Sequence, residues 1–279
     1  MEVVRTRAAL RRARGSLPGP VGAVLTMGAL HDGHRSLLER ARAECASVVA
    51  SVFVNPTQFG PAEDFERYPR DEAGDLAVLE AAGVDLVFAP PVEEIYPPAF
   101  ATTVDVGPIA EPLEGAARPG HFRGVATVVA ILFGLIAPER AYFGQKDAQQ
   151  TLVVRRLVQD LAMPIEIVVC PTVREPDGLA LSSRNRHLSA AERPGAPVLF
   201  RALADGRRLV EGGERDPQAI RQRMRDVLSA EPLARPEYVS VADGSTLREL
   251  DRVAGEILLS MAVRFGDTRL IDNLPLTVP

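Results

Sequence analysis

The 279-residue sequence contains no tryptophan, two cysteines, four histidines and one lysine, Lys146, against 31 arginines. Cys45 and Cys170 lie far apart, each beside an apolar run and neither in a CxxC pair, which fits buried reduced thiols better than a disulfide framework. No apolar run reaches the roughly 18 residues of a membrane helix. The longest candidate, 125–137, contains Gly134. The Arg-rich start, 1–14, lacks the long apolar stretch of a secretory signal, so the cytoplasm is the expected compartment. A net charge of -5 and a pI near 5.5 do not provide the clustered positive potential of a broad nucleic-acid footprint or a polybasic membrane surface. Neither nucleic acid nor a membrane is an expected partner.

The scarcity of lysine is itself informative. An arginine bias replaces lysine wherever a generic cation suffices and has no functional meaning at most sites, so the survivor is a candidate for a place that takes a compact ammonium on a thin stem rather than a planar guanidinium.

What is present is ordinary for a globular protein, with 46% apolar and 25% charged residues. The length points to about two domains. From residue 21 to about 173, short apolar runs at 21–27, 47–54, 84–89 and 165–170 alternate with helical patterns at 33–44, 71–82, 124–137 and 148–161. Alternation of this kind predicts βαβ units and a Rossmann-like parallel sheet, with ligands at the carboxyl ends of the strands. Near residue 185 the character changes. Helical patterns at 198–210 and 216–228 are followed by strand-like 238–241 and 256–263, which predicts a smaller C-terminal α+β domain. The expected domains are 1–184 and 185–279.

The candidate chemistry lies just after the apolar runs. The first run ends in Thr26-Met27-Gly28-Ala29-Leu30-His31-Asp32-Gly33-His34 and a helix follows. Glycines let the backbone approach a ligand, and the first turn of a helix favours a phosphate. His31 and His34 can face one side of that turn and donate to phosphate oxygens. A capped helix with surface histidines and a two-histidine metal site are the other readings of the pair. The loop is neither GxGxxG nor GxxxxGK[ST], so a dehydrogenase fingerprint and a P-loop are poorly supported. HxGH after a strand resembles the ATP-phosphate motif of the nucleotidyltransferase and class I aminoacyl-tRNA synthetase superfamily.

The second run ends in Val54-Asn55-Pro56-Thr57-Gln58-Phe59, whose amides can hold a small polar substrate or simply form a turn. Gly144-Gln145-Lys146-Asp147-Ala148-Gln149-Gln150 follows the apolar 141–143 and opens another helix. A cation there can neutralise a polyphosphate or a leaving group. Asp147 either caps the helix or orients the lysine or a metal. In 173–185, an Asp177-Gly178 turn precedes Leu181-Ser182-Ser183-Arg184, two hydroxyls and a guanidinium suited to triphosphate oxygens.

In this order and spacing, TMGALHDGH, FVNPTQF, Tyr68-Pro69-Arg70, the 120–125 segment GHFRGV, YFGQKDAQQ, DGLALSSRN and the 268–273 ending TRLIDN closely resemble the pantoate:beta-alanine ligase family over nearly the whole chain. The resemblance implies attack of pantoate on the α-phosphate of ATP, release of pyrophosphate, and displacement of AMP from pantoyl adenylate by beta-alanine. By matching position, Met27, Gly28, Ala29, Leu30, His31, Asp32, Gly33 and His34 would hold ATP, with His34 in the role of proton donor. Gly144, Gln145, Lys146 and Asp147, then Val173, Leu181, Ser182, Ser183 and Arg184, would complete the nucleotide site. The catalytic set would be His31, His34, Lys146 and Arg184. Gln58 and Gln150 would bind pantoate, with Gln58 near beta-alanine and Asn55 supporting the pocket. Mg²⁺ would come with ATP, and a homodimer is expected.

Two positions depart from the family pattern. Leu25 stands where Pro is common and Ala148 where a bulkier, often aromatic, residue is usual; neither removes a polar group from the mechanism. An adenylyltransferase that leaves the nucleotide on its product, and a non-catalytic nucleotide- or tRNA-binding module, are the competing readings. No role is assigned to His187 or Cys45.

Overall fold

The computed structural model describes residues 1–278 except 61–64, 66 and 67. They form two compact units, one of Met1–Gly144 with Gln149–Pro171 and the other of Gln145–Ala148 with Thr172–Pro279.

Among the described residues of the first unit, six strands make one sheet: β1 (Glu2–Val4), β2 (Val21–Thr26), β3 (Ser47–Val52), β4 (Leu86–Phe88), β5 (Arg140–Gly144) and β6 (Glu166–Cys170). They lie in the order β1-β4-β3-β2-β5-β6 and every pairing is parallel. Parallel strands covered on both faces need continuous apolar sequence. VGAVLT and SVVASV supply it, each with five of six residues buried.

Among the described residues, five helices accompany the strands: α1 (Arg7–Gly15), α2 (Asp32–Glu44), α3 (Glu72–Ala81), α6 (His121–Ile136) and α7 (Ala148–Asp160), whose first residue falls to the second unit. The single turns α4 (Val92–Ile95) and α5 (Glu114–Ala117) interrupt the connection after β4. Leu38 and Ala41, three apart on α2, meet Val24, Val48, Ala50 and Val87 in one core. The chain winds outward from β2 through β3 to β4 and then returns to β5 on the other side of β2. The strand order therefore reverses between β2 and β5, the position at which such sheets bind ligands.

The second unit carries β7 (Arg235–Asp243), β8 (Gly255–Phe265) and β9 (Thr268–Val278), antiparallel in that order. Helices α8 (Val198–Glu211) and α9 (Pro217–Ser229) bury Leu199, Leu203, Ile220 and Met224 against Val241, Leu259 and Met261. Asp216 caps α9 by accepting from Gln218 N, and Pro217 takes the first helical position, where its missing N–H costs nothing.

The Rossmann-like sheet with a smaller α+β part is therefore present, and the strands expected at 21–27, 47–54, 84–89 and 165–170 form with ends trimmed by one or more residues. Residues 172–184, read from the sequence as part of the first domain, lie in the second unit. There the bidentate pair of Arg174 with Asp272 ties them to β9. Both cysteines are free and buried. Cys45 Sγ lies 3.3 Å from Tyr142 Oη, which donates to Glu44 at 2.9 Å. Burial pushes that phenol above its ordinary value, and Cys45 and Glu44 push the same way. None of the described helices is long and apolar enough to cross a membrane.

Candidate active site

The turn from β2 into α2 is set by a helix cap made of histidines. His31 is the N-cap, its Nδ1 accepting from Gly33 N at 3.1 Å, while His34 Nδ1 accepts from His31 N at 3.3 Å. The two rings lie 4.2 Å apart. This is a capping box with imidazoles in place of the usual hydroxyl and carboxylate. Because both Nδ1 atoms accept, each neutral ring carries its hydrogen on Nε2, the donor expected for phosphate. The rings thus cap the helix through Nδ1, and the expected donation to phosphate would use Nε2 of the same rings. Asp32 is exposed and lies 3.3 Å from Arg35.

Gly28 and Ala29 both have positive φ, +81° and +53°. For alanine that region is strained. A carboxylate holds the turn there: Asp75, on the first turn of α3 and 5% exposed, accepts from Ala29 N at 3.0 Å and Leu30 N at 2.8 Å. Two consecutive backbone donors on one buried carboxylate are charge-assisted bonds, stronger than neutral ones. Sequence reasoning missed Asp75, because an acidic residue at a helix start looks like an ordinary cap.

After β3, Asn55 caps a 3-10 turn, Pro56–Gln58. Its amide is fully used. Nδ2 donates to Gln58 Oε1 at 3.1 Å and to Gly124 O at 3.2 Å; Oδ1 accepts from Tyr96 Oη at 2.7 Å and Thr57 Oγ1 at 2.9 Å. Asn55 therefore orients Gln58. The Gln58 amide also donates to Met27 Sδ at 2.9 Å, which brings the first two motifs together. Burial raises the Tyr96 hydroxyl above its ordinary value, so it stays protonated as the donor to Asn55. Nothing in the sequence singled out Tyr96.

The backbone of the same turn rests on α6. Arg118 meets His121 Nε2 at 3.1 Å, and His121 Nδ1 meets Gln58 O at 2.8 Å. A guanidinium only donates, so Nε2 accepts and Nδ1–H donates to the Gln58 carbonyl. Gly124 allows the close approach: a Cβ there would lie 2.4 Å from Thr57 O and 2.8 Å from Gln58 N.

On α7, Gln149 and Gln150 point about 100° apart. Gln149 is buried and clamps the backbone before and within α5, accepting from Glu114 N and donating to Ile109 O and Pro112 O. Gln150 is half-buried. Ala148 is buried, and Leu25 is half-buried in β2.

In the second unit, Lys146 sits in the 3-10 turn Gln145–Asp147, its side chain 16% exposed and Nζ 3.7 Å from Asp147 Oδ1. The 173–181 segment folds back on itself through Leu181 N to Val173 O (2.9 Å), with Gly178 at φ +95° in the turn. Arg193 holds the Asp177 carboxyl in that turn below its usual range. Ser182 then caps the 3-10 turn Ser183–His187. A cleft brings Lys146, Ser182, Arg184, Asn185 and Arg269 together, with Leu179 and Leu199 in its wall. Asp272 also lines it, but Arg174 pairs with that carboxylate. The lining is cationic and donor-rich, suited to an anion such as a polyphosphate. His187 is exposed at the end of the 3-10 turn.

Comparison with known proteins gives one family over nearly the whole chain. A sequence model of the family described as pantoate-beta-alanine ligase matches residues 2–275. The pantothenate synthetase of Roseiflexus sp. (strain RS-1) is 63% identical, with 98% of each chain covered. That of Moorella thermoacetica is 52% identical, covering 100% of this chain and 99% of the relative. The crystal structure of the Thermus thermophilus pantothenate synthetase is similar with a TM-score of 0.94 at 54% identity, covering 98% of this chain and 99% of that one. The Francisella tularensis pantoate-beta-alanine ligase, complexed with beta-gamma ATP and beta-alanine, has a TM-score of 0.81 at 33% identity over 98% of this chain and 97% of its own. With sequence and fold matched from end to end, the chain belongs to the pantoate-beta-alanine ligase family.

Proposed function

We propose that this enzyme joins pantoate to beta-alanine through a pantoyl adenylate, with the roles below. A carboxylate oxygen of pantoate attacks the α-phosphorus of ATP, and the α–β bridging oxygen leaves with pyrophosphate. The uncharged amine of beta-alanine then attacks the pantoyl carbonyl carbon. The acyl C–O bond breaks, AMP departs, and the amine loses its surplus proton.

The observation that carries this reading is the Asn55–Gln58 pair at the carboxyl end of β3, buried amides locked by Tyr96, Gly124 and His121. Such an array positions a small polar substrate and adds no base, which suits a step whose nucleophile is already ionised. Gln58 and Gln150 are the pantoate ligands in this reading, and Asn55 holds Gln58. His31 and His34 donate from Nε2 to phosphate oxygens. Met27 to Leu30, Gly144, Val173 and Leu181 lend backbone to the nucleotide. Lys146, Ser182, Ser183 and Arg184 stabilise the charge that develops as pyrophosphate leaves.

Mg²⁺ enters as part of the ATP substrate. Among the described residues no group of three or more His, Cys, Asp and Glu side chains stands together as a metal site, so phosphate and water oxygens would supply the donors, which suits this ion. Asp147, beside Lys146, orients the ammonium. The same reading has the protein act as a cytoplasmic homodimer on small molecules, without nucleic acid or membrane partners.

Pyrophosphate exchange into ATP tests the scheme. It is expected to require pantoate but not beta-alanine, with AMP and pantothenate formed in equal amounts once both substrates are present. Exchange without pantoate, or a final product that keeps the nucleotide, would overturn it. His34→Ala is expected to lose exchange; loss confined to amine attack on supplied pantoyl adenylate would move the residue to the second step.

A further inference from the structure

The lone lysine sits in a three-residue 3-10 turn, too short to fix its own geometry. One side chain from β9 ties that turn down. Asn273 donates from Nδ2 to Gln145 O at 3.0 Å and to Lys146 O at 2.8 Å, and its Oδ1 accepts from Gln145 Nε2 at 3.0 Å. Both amide hydrogens are committed to the main chain of Lys146 and the residue before it, and one oxygen lone pair to that residue's side chain. Asn273 is 4% exposed, so water does not compete for these bonds.

Strand geometry explains how one dipeptide reaches two segments. Successive side chains of β9 point to opposite faces of the sheet. Asp272, opposite Met261 in the ladder, takes Arg174 in a bidentate pair at 2.6 and 2.9 Å, and Arg174 lies over the Phe200 ring of α8. Asn273, opposite Ser260, faces the other way, to the lysine turn. The two residues thus anchor the segment leading to Ser182–Arg184 and the segment carrying Lys146.

We infer that Asn273 is a positioning residue for Lys146: its amide fixes the main chain at Gln145 and Lys146 and so sets where the ammonium stands. The inference rests on the reading of Lys146 as a nucleotide-binding residue. An amide is the group the position requires. Aspartate offers no donor and would face two carbonyl oxygens with a charge, and alanine leaves both carbonyls and the Gln145 amide without these bonds.

A double-mutant cycle on the full chain tests this. Pantoate-dependent pyrophosphate exchange is measured for wild type, Asn273→Ala, Lys146→Ala and the double variant, with circular dichroism and thermal unfolding alongside. Asn273→Ala is expected to lower the exchange kcat by about 10- to 100-fold. It should leave the KM for beta-alanine in the overall reaction unchanged. In the Lys146→Ala background the same change is expected to cost less than about 3-fold, because a residue acting through another is strongly non-additive with it. Equal losses in the two backgrounds, or no loss with Lys146 present, would overturn the inference. Should Asn273→Ala fail to fold, Asn273→Ser, which keeps one hydroxyl donor, goes through the same cycle under the same criteria. A wild-type protein without pantoate-dependent exchange would instead bring down the functional reading, and this inference with it.

Discussion

Gly124→Ala offers a sharp separation of stability from activity. The added Cβ would lie 2.4 Å from Thr57 O, 2.6 Å from Thr57 C and 2.8 Å from Gln58 N, all backbone atoms. Carbon contacts settle near 3.5 Å, so α6 and the turn must separate by about 1 Å. The turn cannot yield freely: Asn55 bonds Gly124 O, and His121 bonds Gln58 O. Overpacking of this kind costs about 1–3 kcal/mol. Alanine in place of glycine within a helix returns about 1 kcal/mol. The net destabilisation is therefore small, at most about 2 kcal/mol. A 1 Å displacement of a substrate-positioning group costs on the order of 100-fold, about 2.7 kcal/mol of transition-state stabilisation. The expected result is kcat/KM for pantoate down by about 100-fold, with the fold retained and stability lowered by no more than about 2 kcal/mol. Gly134→Ala, on the same helix with no atom within 4 Å of the new Cβ, is the control and is expected to be active and slightly stabilised. Wild-type kcat/KM in Gly124→Ala would refute the claim that this contact places Gln58.

Three further outcomes follow from the geometry. Lys146→Arg keeps the charge but puts a guanidinium fork where a side chain is only 16% exposed, and exchange is expected to fall on the order of 10-fold or more; wild-type exchange would count against it. Asp75→Asn keeps one acceptor and turns an NH₂ toward the other backbone donor, so guanidinium unfolding should show a loss of about 3 kcal/mol and ATP should bind more weakly; an unchanged midpoint would refute this. The Asp243 carboxyl is held down to about 2 from 3.8, chiefly by the Ser245 hydroxyl, with Thr246 contributing. Its stabilising contribution is therefore complete above about pH 4 and lost as pH falls toward 2. Asp243→Ala is expected to be less stable near neutrality and to lose less on acidification; equal acid sensitivity in the two proteins would contradict the assignment.

The parallel strands were legible because burial on both faces demands continuous apolar runs. Two kinds of element were not. β1 is three residues long, and α1, whose buried face holds Leu10, reads in sequence as an arginine-rich start. β9 hides its period behind Asp272, Asn273 and Pro275, and proline is tolerated there because β9 is an edge strand. The candidate site divides in the same way. Residues on short motifs, such as His31, His34, Lys146 and Arg184, can be read from local pattern and a resemblance. Asp75, Tyr96 and Asn273 act by hydrogen bonds across 46, 41 and up to 128 residues of chain, and no local pattern encodes such a partner.

The anchoring of both segments by Asp272 and Asn273 bears on how the enzyme comes to be active. The contacts span 98 and up to 128 residues, so the loop-closure entropy must be met before either segment is tied down. The sheet and helices of the first unit rest on their own core and do not need those contacts. Secondary structure in the first unit should therefore recover during refolding before catalytic competence does, with competence waiting for β9 to pair with β8.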